Sequence, residues 1–234
     1  MIDDIANIIP QLTHGLHKGQ MGRIAVVGGS KESVHACIGA DLVHVVCSAS
    51  SSPVIKSYSP ELIVHPVLDG VLAEATKCMD RVHAITFGPG LGLTENVENT
   101  TKFSSQPYDT KDATRSLAEK LGVTIVHKGP TDIISNGQTT VQCADQGSPR
   151  RCGGQGDVLS GTMSVFNYWF HQLNDNNPNL LFTATIGAAF AACSLTRRCS
   201  QLAYAKYGRS MITTQMLPEI HNAFEQLFAK TPMA

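Results

Sequence analysis

The sequence predicts an α/β fold with a mostly parallel central sheet, because short apolar runs alternate with helical stretches along most of the chain. Runs of this kind occupy residues 24–27, 41–47 and 83–87, and a glycine follows the first and the third directly. Apolar runs that end at glycine are typical of parallel strands buried on both faces. With 234 residues, 42% of them hydrophobic, the chain fits one domain spanning residues 1–234.

Composition excludes several classes of function. The chain has 18 basic and 19 acidic residues, so no overall field attracts nucleic acid or an anionic membrane. Seven cysteines without a C-x-x-C pair argue against a zinc ribbon and against a disulfide scaffold. The nine histidines lack ligand spacing, so no protein metal site is expected. No targeting peptide or long apolar span is visible, which favours a cytoplasmic protein, with mitochondria as the alternative.

The remaining elements follow from hydrophobic period and turn residues. Further strands are predicted at residues 61–66 and 123–127, and an Asn-Gly hairpin at residues 133–143. Helices are predicted at residues 71–79, 113–121, 158–173, 180–198 and 214–228, and a surface loop at residues 94–112. The connection between the first two strands is short for a parallel crossover. Either these strands are not neighbours, or part of their connection is missing.

Residues 147–161 combine glycines, arginines and one aspartate directly ahead of a predicted helix. Gly153, Gly154 and Gly156 leave the backbone free to turn with positive φ and let an anion approach its N–H groups. The free N–H groups and the dipole of a helix start favour phosphate, and Arg150 and Arg151 add cationic donors. This stretch therefore predicts a phosphate site at the N-terminus of the helix.

Asp157 does not fit a simple anion site, because a carboxylate repels phosphate. Two interpretations stay open at this point. Asp157 is a base that takes a proton from a hydroxyl attacking the terminal phosphoryl group, or it is only the N-cap of the helix over a glycine turn.

A second glycine loop, Gly88-Pro89-Gly90-Leu91-Gly92, follows the strand at residues 83–87. Ligands of parallel α/β sheets bind at the carboxyl ends of strands, so this loop is a candidate wall of the site, and a tight turn is the alternative. It is not a dinucleotide fingerprint, because position 93 is leucine, and no G-x-x-x-x-G-K-[ST] motif occurs in the chain.

Taken together, these motifs resemble the ATP-dependent NAD(P)H-hydrate dehydratases, the carbohydrate-kinase-domain family. The resemblance covers nearly the whole chain, and Arg151 to Asp157 is a highly specific match within it. Its other motifs are Lys18-Gly19-Gln20, Gly28-Gly29-Ser30, Tyr58-Ser59-Pro60-Glu61, Phe87 to Gly92, Lys128-Gly129 with Asp132, and Gly147 to Gly161. It implies a ribokinase-like three-layer sandwich. It also implies a lyase that dehydrates the S-epimer of NADHX or NADPHX to NADH or NADPH, with ATP giving ADP and phosphate and Mg²⁺ arriving with the nucleotide.

The resemblance also implies roles for individual residues. Asp157 would deprotonate the ring hydroxyl of the hydrate, and Gly88, Gly90 and Gly92 would contact the hydrate together with Asp157. The residues implied to contact ATP are Lys128, Gly129, Pro130, Thr131, Asp132, Gly147, Ser148, Pro149, Arg150, Arg151, Cys152, Gly153, Gly154, Gln155 and Gly156. The expected partners are NADHX or NADPHX and ATP, and a homo-oligomer is compatible with the sequence.

Two segments of the family pattern have no counterpart here. Between Gly29 and Asp41 the family has a longer segment with a helix. Between Gly92 and Ala113 it has a further helix, a strand ending in a Val-Asp-Ala-Asp-like motif, and a Thr-Pro-Asn motif followed by a glutamate. We therefore interpret the chain as a shortened product with an incomplete sheet. A catalytically silent variant that at most binds ATP, and a small-alcohol kinase of the same superfamily, remain alternatives to the active dehydratase.

Overall fold

The computed structural model describes residues 5–6, 9–10, 14, 17–28, 39–59, 61–69, 77, 79–88, 110–174 and 183–229. Its first sheet is parallel, with strand order β3-β2-β1-β4, and consists of β1 (Arg23–Val27), β2 (Leu42–Val46), β3 (Ile63–His65) and β4 (Ala84–Phe87). A second, antiparallel sheet has the order β5-β6-β7 and consists of β5 (Ile125–His127), β6 (Asp132–Ser135) and β7 (Thr140–Cys143). The predicted α/β fold with parallel strands is confirmed.

The helices of the described residues surround these sheets. They are α1 (Ser52–Tyr58), α2 (Thr110–Leu121), α3 (Gln155–Asn174), α4 (Ala184–Tyr207) and α5 (Ile220–Phe228). The two long helices, α3 and α4, pack against each other, and the small residues of α4 are buried at the contact. No helix among the described residues has both the length and the apolarity needed to cross a membrane.

The two alternatives for the short connection after β1 are now decided in part. β1 and β2 are direct parallel neighbours, with Ile24 opposite Val43 and Val26 opposite Val45. The connection runs from residue 28 to residue 41, and residues 29–38 of it lie outside the described residues. The predicted strand at residues 123–127 forms as β5, but it pairs antiparallel with β6, a pairing that the sequence did not indicate.

Several predicted helix limits were wrong. The expected loop at residues 94–112 is wrong at its end, because α2 begins at Thr110; the rest of that segment lies outside the described residues. Helix α4 continues to Tyr207 instead of stopping at residue 198, and Gly208, with φ of 56°, ends it. The last helix begins at Ile220 instead of residue 214, after two 3₁₀ turns, because Pro218 has no N–H to donate. The predicted helix at residues 71–79 lies mostly outside the described residues.

The direction of α3 places the predicted anion site. Near its C-terminal end, Tyr168 Oη donates to the carbonyl oxygen of Gln20 at 3.2 Å, just before β1. Nearer its start, Ser164 Oγ donates to Thr86 Oγ1 at 2.6 Å, close to the carboxyl end of β4. Helix α3 therefore runs antiparallel to the strands. Its N-terminus, at Gln155, lies at the edge of the parallel sheet where ligands of this architecture bind.

Two histidines on neighbouring strands make the stability of the fold sensitive to pH. His44 Nδ1 and His65 Nε2 lie 2.9 Å apart, and the two rings are stacked with centroids 5.2 Å apart. Burial, the charge of His65 and the charge of Arg23 lower the pKa of His44, and burial lowers the pKa of His65. The histidines of the unfolded chain have a pKa of about 6.5, so as the pH falls they bind protons before the same two histidines of the folded chain do. The stability that these histidines contribute is present above that pH and is lost as the pH falls through the lowered pKa values.

We expect the melting temperature of the parent chain to fall between pH 7 and pH 5 more steeply than that of the double variant His44→Gln/His65→Gln. Carboxylates and the other histidines titrate in both chains, so the difference between the two profiles isolates the pair. The measurement is thermal unfolding by circular dichroism at half-unit pH steps. Parallel profiles in the parent and the double variant would contradict this account of the pair.

Candidate active site

A cavity of about 690 Å³ lies beside the N-terminus of α3. Three parts of the chain form its wall: the loop between β5 and β6, the segment that leads from β7 into α3, and one face of α4. Of the residues predicted to contact ATP, all except Thr131 and Pro149 line this cavity. The structure therefore brings together two segments, at residues 128–132 and 147–156, that the sequence could only name separately.

A lysine side chain meets the start of α3 where the two segments come together. Gly154 has φ of 87°, and the carbonyl oxygen of Gly154 accepts the N–H of Asp157 at 2.9 Å as the chain enters α3. A β-carbon on Gly156 would lie 2.9 Å from Lys128 Nζ, so the ammonium group stands directly over the first turn of the helix. An ammonium group and the positive end of a helix dipole repel each other, and an anion between them removes that cost.

The glycine turn is held in place by its neighbours. Gln155 Nε2 donates to the carbonyl oxygen of Arg150 at 3.2 Å, and Thr213 Oγ1 donates to the carbonyl oxygen of Gly153. Arg150 and Arg151 are exposed on the cavity wall, where their guanidinium groups can reach a bound anion. Thr213 lies on a 3₁₀ turn far along the chain, and no sequence motif indicated that it contacts this turn.

Asp132 is buried, with 6% of its surface exposed, and both of its carboxylate oxygens are engaged. Oδ1 accepts a hydrogen bond from the N–H of Gly129 at 3.0 Å, and Oδ2 accepts one from Arg197 Nε at 2.8 Å. Burial and the charge of Asp132 raise the pKa of the neighbouring Cys193 thiol well above its ordinary value. In this structure Asp132 shapes the loop that carries Lys128, and a direct contact with ATP stays a prediction.

Asp157 occupies the third position of α3, because the helix begins at Gln155. The interpretation of Asp157 as the N-cap residue is therefore wrong. Its surface is 5% exposed, and it does not line the 690 Å³ cavity; it lies beside that cavity, near the carboxyl edge of the parallel sheet. Asp157 therefore adjoins the cavity wall at Gly156, and its role as a base stays a prediction.

Of the three glycines predicted to contact the hydrate, Gly88, Gly90 and Gly92, the structure describes only the first. Gly88 follows β4 with φ of 130° and donates its N–H to the carbonyl oxygen of Val27 at 3.2 Å, and no described residue lies within 4 Å of the position of a β-carbon on it. Gly90 and Gly92 lie outside the described residues. Gly88 and the start of α3 are both at the carboxyl edge of the parallel sheet.

Gly154→Val is expected to weaken ATP binding by at least tenfold, because a β-branched residue is strained at positive φ and its side chain would press on Thr213. A β-carbon there would lie 3.2 Å from the side chain of Thr213. Gly122→Val is the matched control, since Gly122 also has positive φ but stands just after α2, with no described residue within 4 Å of the position of a β-carbon on it. Calorimetric titration with ATP is the measurement. Equal ATP affinity in Gly154→Val and the parent would place the phosphates elsewhere.

The sequence and the fold of this chain are similar to those of known proteins. A family model for NAD(P)H-hydrate dehydratase matches residues 33–109 and 104–222. The ATP-dependent (S)-NAD(P)H-hydrate dehydratase of Rattus norvegicus is 40% identical over 295 residues, which cover 96% of this chain and 84% of the rat protein.

Two solved structures are similar in fold. A ribokinase-like superfamily protein of Enterococcus faecalis has a TM-score of 0.67 at 19% identity, and the match covers 98% of this chain and 96% of the Enterococcus chain. The ADP/ATP-dependent NAD(P)H-hydrate dehydratase of Bacillus subtilis, co-crystallized with ATP/Mg²⁺, has a TM-score of 0.64 at 14% identity over 97% of both chains. These two structures share the fold with this chain.

The same comparison bears on the shortening of the chain. The aligned region of the rat relative spans 295 positions and includes 96% of the 234 residues of this chain, so about seventy of those positions have no counterpart here. The family model matches in two parts that meet at residues 104–109, as a deletion at that place would produce. In the described structure, β4 forms one edge of the parallel sheet, and Phe87 at its end is 64% exposed.

The family model covers most of the chain, the rat relative is 40% identical along nearly all of it, and the two segments predicted to contact ATP meet at one cavity. The chain belongs to the NAD(P)H-hydrate dehydratase family.

Proposed function

We propose that this protein dehydrates the S-epimer of NADHX or NADPHX to NADH or NADPH, with cleavage of ATP to ADP and phosphate. The observation that carries the proposal is the arrangement at the start of α3. An anion site formed by the glycine turn and Lys128 lies beside a buried carboxylate, Asp157, within one helical turn. The 40% identical rat relative carries this activity in its name.

The nucleotide occupies the 690 Å³ cavity, whose volume is within the range of about 300–1,000 Å³ typical of small-molecule sites. Its terminal phosphates lie against the N–H groups of the glycine turn and under the Lys128 ammonium group. Both groups stabilise the negative charge that develops during phosphoryl transfer. Arg150 and Arg151 add cationic donors at the rim of the cavity.

Asp157 acts on the second substrate. It accepts the proton of the ring hydroxyl, whose oxygen attacks the γ-phosphorus, and the bond to the β-phosphate breaks to release ADP. The hydroxyl has then become a phosphate ester, a far better leaving group. Departure of phosphate from the ring carbon, with loss of a proton from the neighbouring carbon, restores the ring double bond of NADH or NADPH.

Mg²⁺ fits this site as an ion carried by the nucleotide. Among the described residues there is no group of three or more metal-binding side chains, and both oxygens of Asp132 are engaged by the protein. Mg²⁺ commonly keeps several waters and takes its other ligands from substrate phosphates. When bound, it neutralises phosphate charge.

A product assay tests the proposal. The purified chain is incubated with the hydrate and ATP, and the recovery of reduced-nicotinamide absorbance is followed together with free phosphate. Equal amounts of reduced nicotinamide and phosphate are expected. Phosphate that stays on the substrate would identify a kinase instead.

A catalytically silent chain is the second candidate, and the roughly seventy absent positions favour it. Cooperative thermal unfolding and ATP binding, with no product of either kind, would identify it. A reaction without added ATP serves as the blank for both candidates.

A further inference from the structure

Arg197 on α4 connects the two segments that wall the cavity. Its side chain is 15% exposed, and it donates to four different acceptors. Nε donates to Asp132 Oδ2 at 2.8 Å, and Nη2 donates to the carbonyl oxygen of Gly129 at 2.9 Å. Nη1 donates at 3.0 Å to two carbonyl oxygens, those of Pro130 and Asp145. One guanidinium group therefore holds the loop of Lys128 and the segment before the glycine turn at a fixed separation.

The next turn of the same helix face adds a contact to the second segment. The N–H of Ser148 donates to Ser200 Oγ at 3.1 Å, and Ser200 Oγ donates to the carbonyl oxygen of Arg197 at 2.8 Å. A β-carbon on Gly147 would lie 3.3 Å from Ser200 Oγ and 3.6 Å from Arg197 Cγ. The chain thus lies directly on this face of α4 shortly before it enters the glycine turn.

We propose that Arg197, supported by Ser200, is a positioning residue for ATP: it sets the distance between Lys128 and the glycine turn at the start of α3. The inference rests on the proposed function, because it takes ATP as the ligand of the cavity. The anion needs the ammonium group and the helix N-terminus at one separation. Their two segments diverge from the open end of the β6–β7 hairpin, where Asp132 is paired with Cys143. Arg197 donates hydrogen bonds to both segments.

Lysine cannot replace this arginine. A guanidinium group presents five donors in a rigid planar fork, whereas an ammonium group presents three donors from one point. Arg197→Lys keeps the positive charge beside Asp132 but cannot reach acceptors on both segments at once. The variant therefore tests the geometry of the contact while the buried carboxylate keeps a cationic neighbour.

The experiment compares Arg197→Lys, Ser200→Ala and the matched control Arg198→Lys with the parent. Arg198 is the next residue of α4, and it donates to Gln226 Oε1 and Gln201 Oε1 instead of the cavity segments. Arg197→Lys is expected to raise the Kd for ATP about tenfold to a hundredfold, as loss of a charged hydrogen bond would. The turnover of Arg197→Lys at saturating ATP is expected to stay within a few-fold of that of the parent. Ser200→Ala is expected to show a smaller rise in the Kd for ATP, and Arg198→Lys no rise.

Hydrogen exchange of the free proteins supplies a readout that does not depend on activity. Amides in residues 128–132 and 145–150 are expected to exchange faster in Arg197→Lys than in the parent and in Arg198→Lys. Unchanged ATP affinity and unchanged exchange would overturn the inference, as would a lower melting temperature with parental ATP affinity, which indicates a purely structural role. Failure of the parent chain to bind ATP would instead contradict the proposed function. The hydrogen-exchange comparison would still decide whether Arg197 orders the two segments.

Discussion

Asp157→Asn is expected to abolish dehydration of the hydrate while ATP binding stays close to that of the parent. The carboxylate is the proposed base, and removal of a general base typically costs about 10²- to 10⁴-fold in rate. Asparagine has nearly the same size and shape as aspartate, so it leaves no cavity at this buried position. Its amide cannot take the proton of the attacking hydroxyl. The measurements are recovery of reduced-nicotinamide absorbance and calorimetric titration with ATP.

Asp112→Asn is the control for this variant, because it makes the same chemical change on the exposed first turn of α2. It is expected to keep parental turnover. Thermal melts of both variants show whether the buried substitution preserves the fold. If Asp157→Asn folds, binds ATP and retains near-parental turnover, Asp157 is not the base.

Restoring the two absent segments is expected to raise turnover by several orders of magnitude with little change in ATP affinity. The restored chain carries the corresponding residues of the rat relative between Gly29 and Asp41 and between Gly92 and Ala113. The proposed ATP contacts lie at residues 128–156 and on α4, in the carboxyl-terminal part of the chain, and they already form a cavity. Both absent segments belong to the amino-terminal part, which contains the parallel sheet and the Gly88 loop.

The physical reason is the position of the second substrate. Holding a hydroxyl in line with the γ-phosphorus can be worth about 7–11 kcal/mol of the barrier, and this requires a complete wall around the hydrate. Turnover and ATP titration of the two chains, side by side, are the measurements. Chains with only one segment restored show which of the two supplies the wall. Equal turnover of the short and restored chains would mean that the absent segments are dispensable.

The sequence by itself determined the elements whose signals are local. The apolar run before Gly28 and the Asn136-Gly137 turn each depend on a few consecutive residues, and β1 and the β6–β7 hairpin formed as predicted. The turn before α3 was likewise predicted from its glycines, although only Gly154 among residues 153, 154 and 156 has positive φ, and Gly156 lies inside the helix. The resemblance of these motifs to one family led to the same family that the comparisons show.

Only the tertiary structure decided how these pieces meet. It placed Asp157 inside the first turn of α3, and it brought Lys128 over Gly156. It also joined Arg197 to Asp132, 65 positions away, and Thr213 to Gly153, 60 positions away. Such contacts leave no periodic signal, since the partners are set by the packing of α4 and of the 3₁₀ turns that follow it. An arginine on a helix of mostly small, apolar residues shows only that a largely buried charge needs a partner, and the fold decides which residue that partner is.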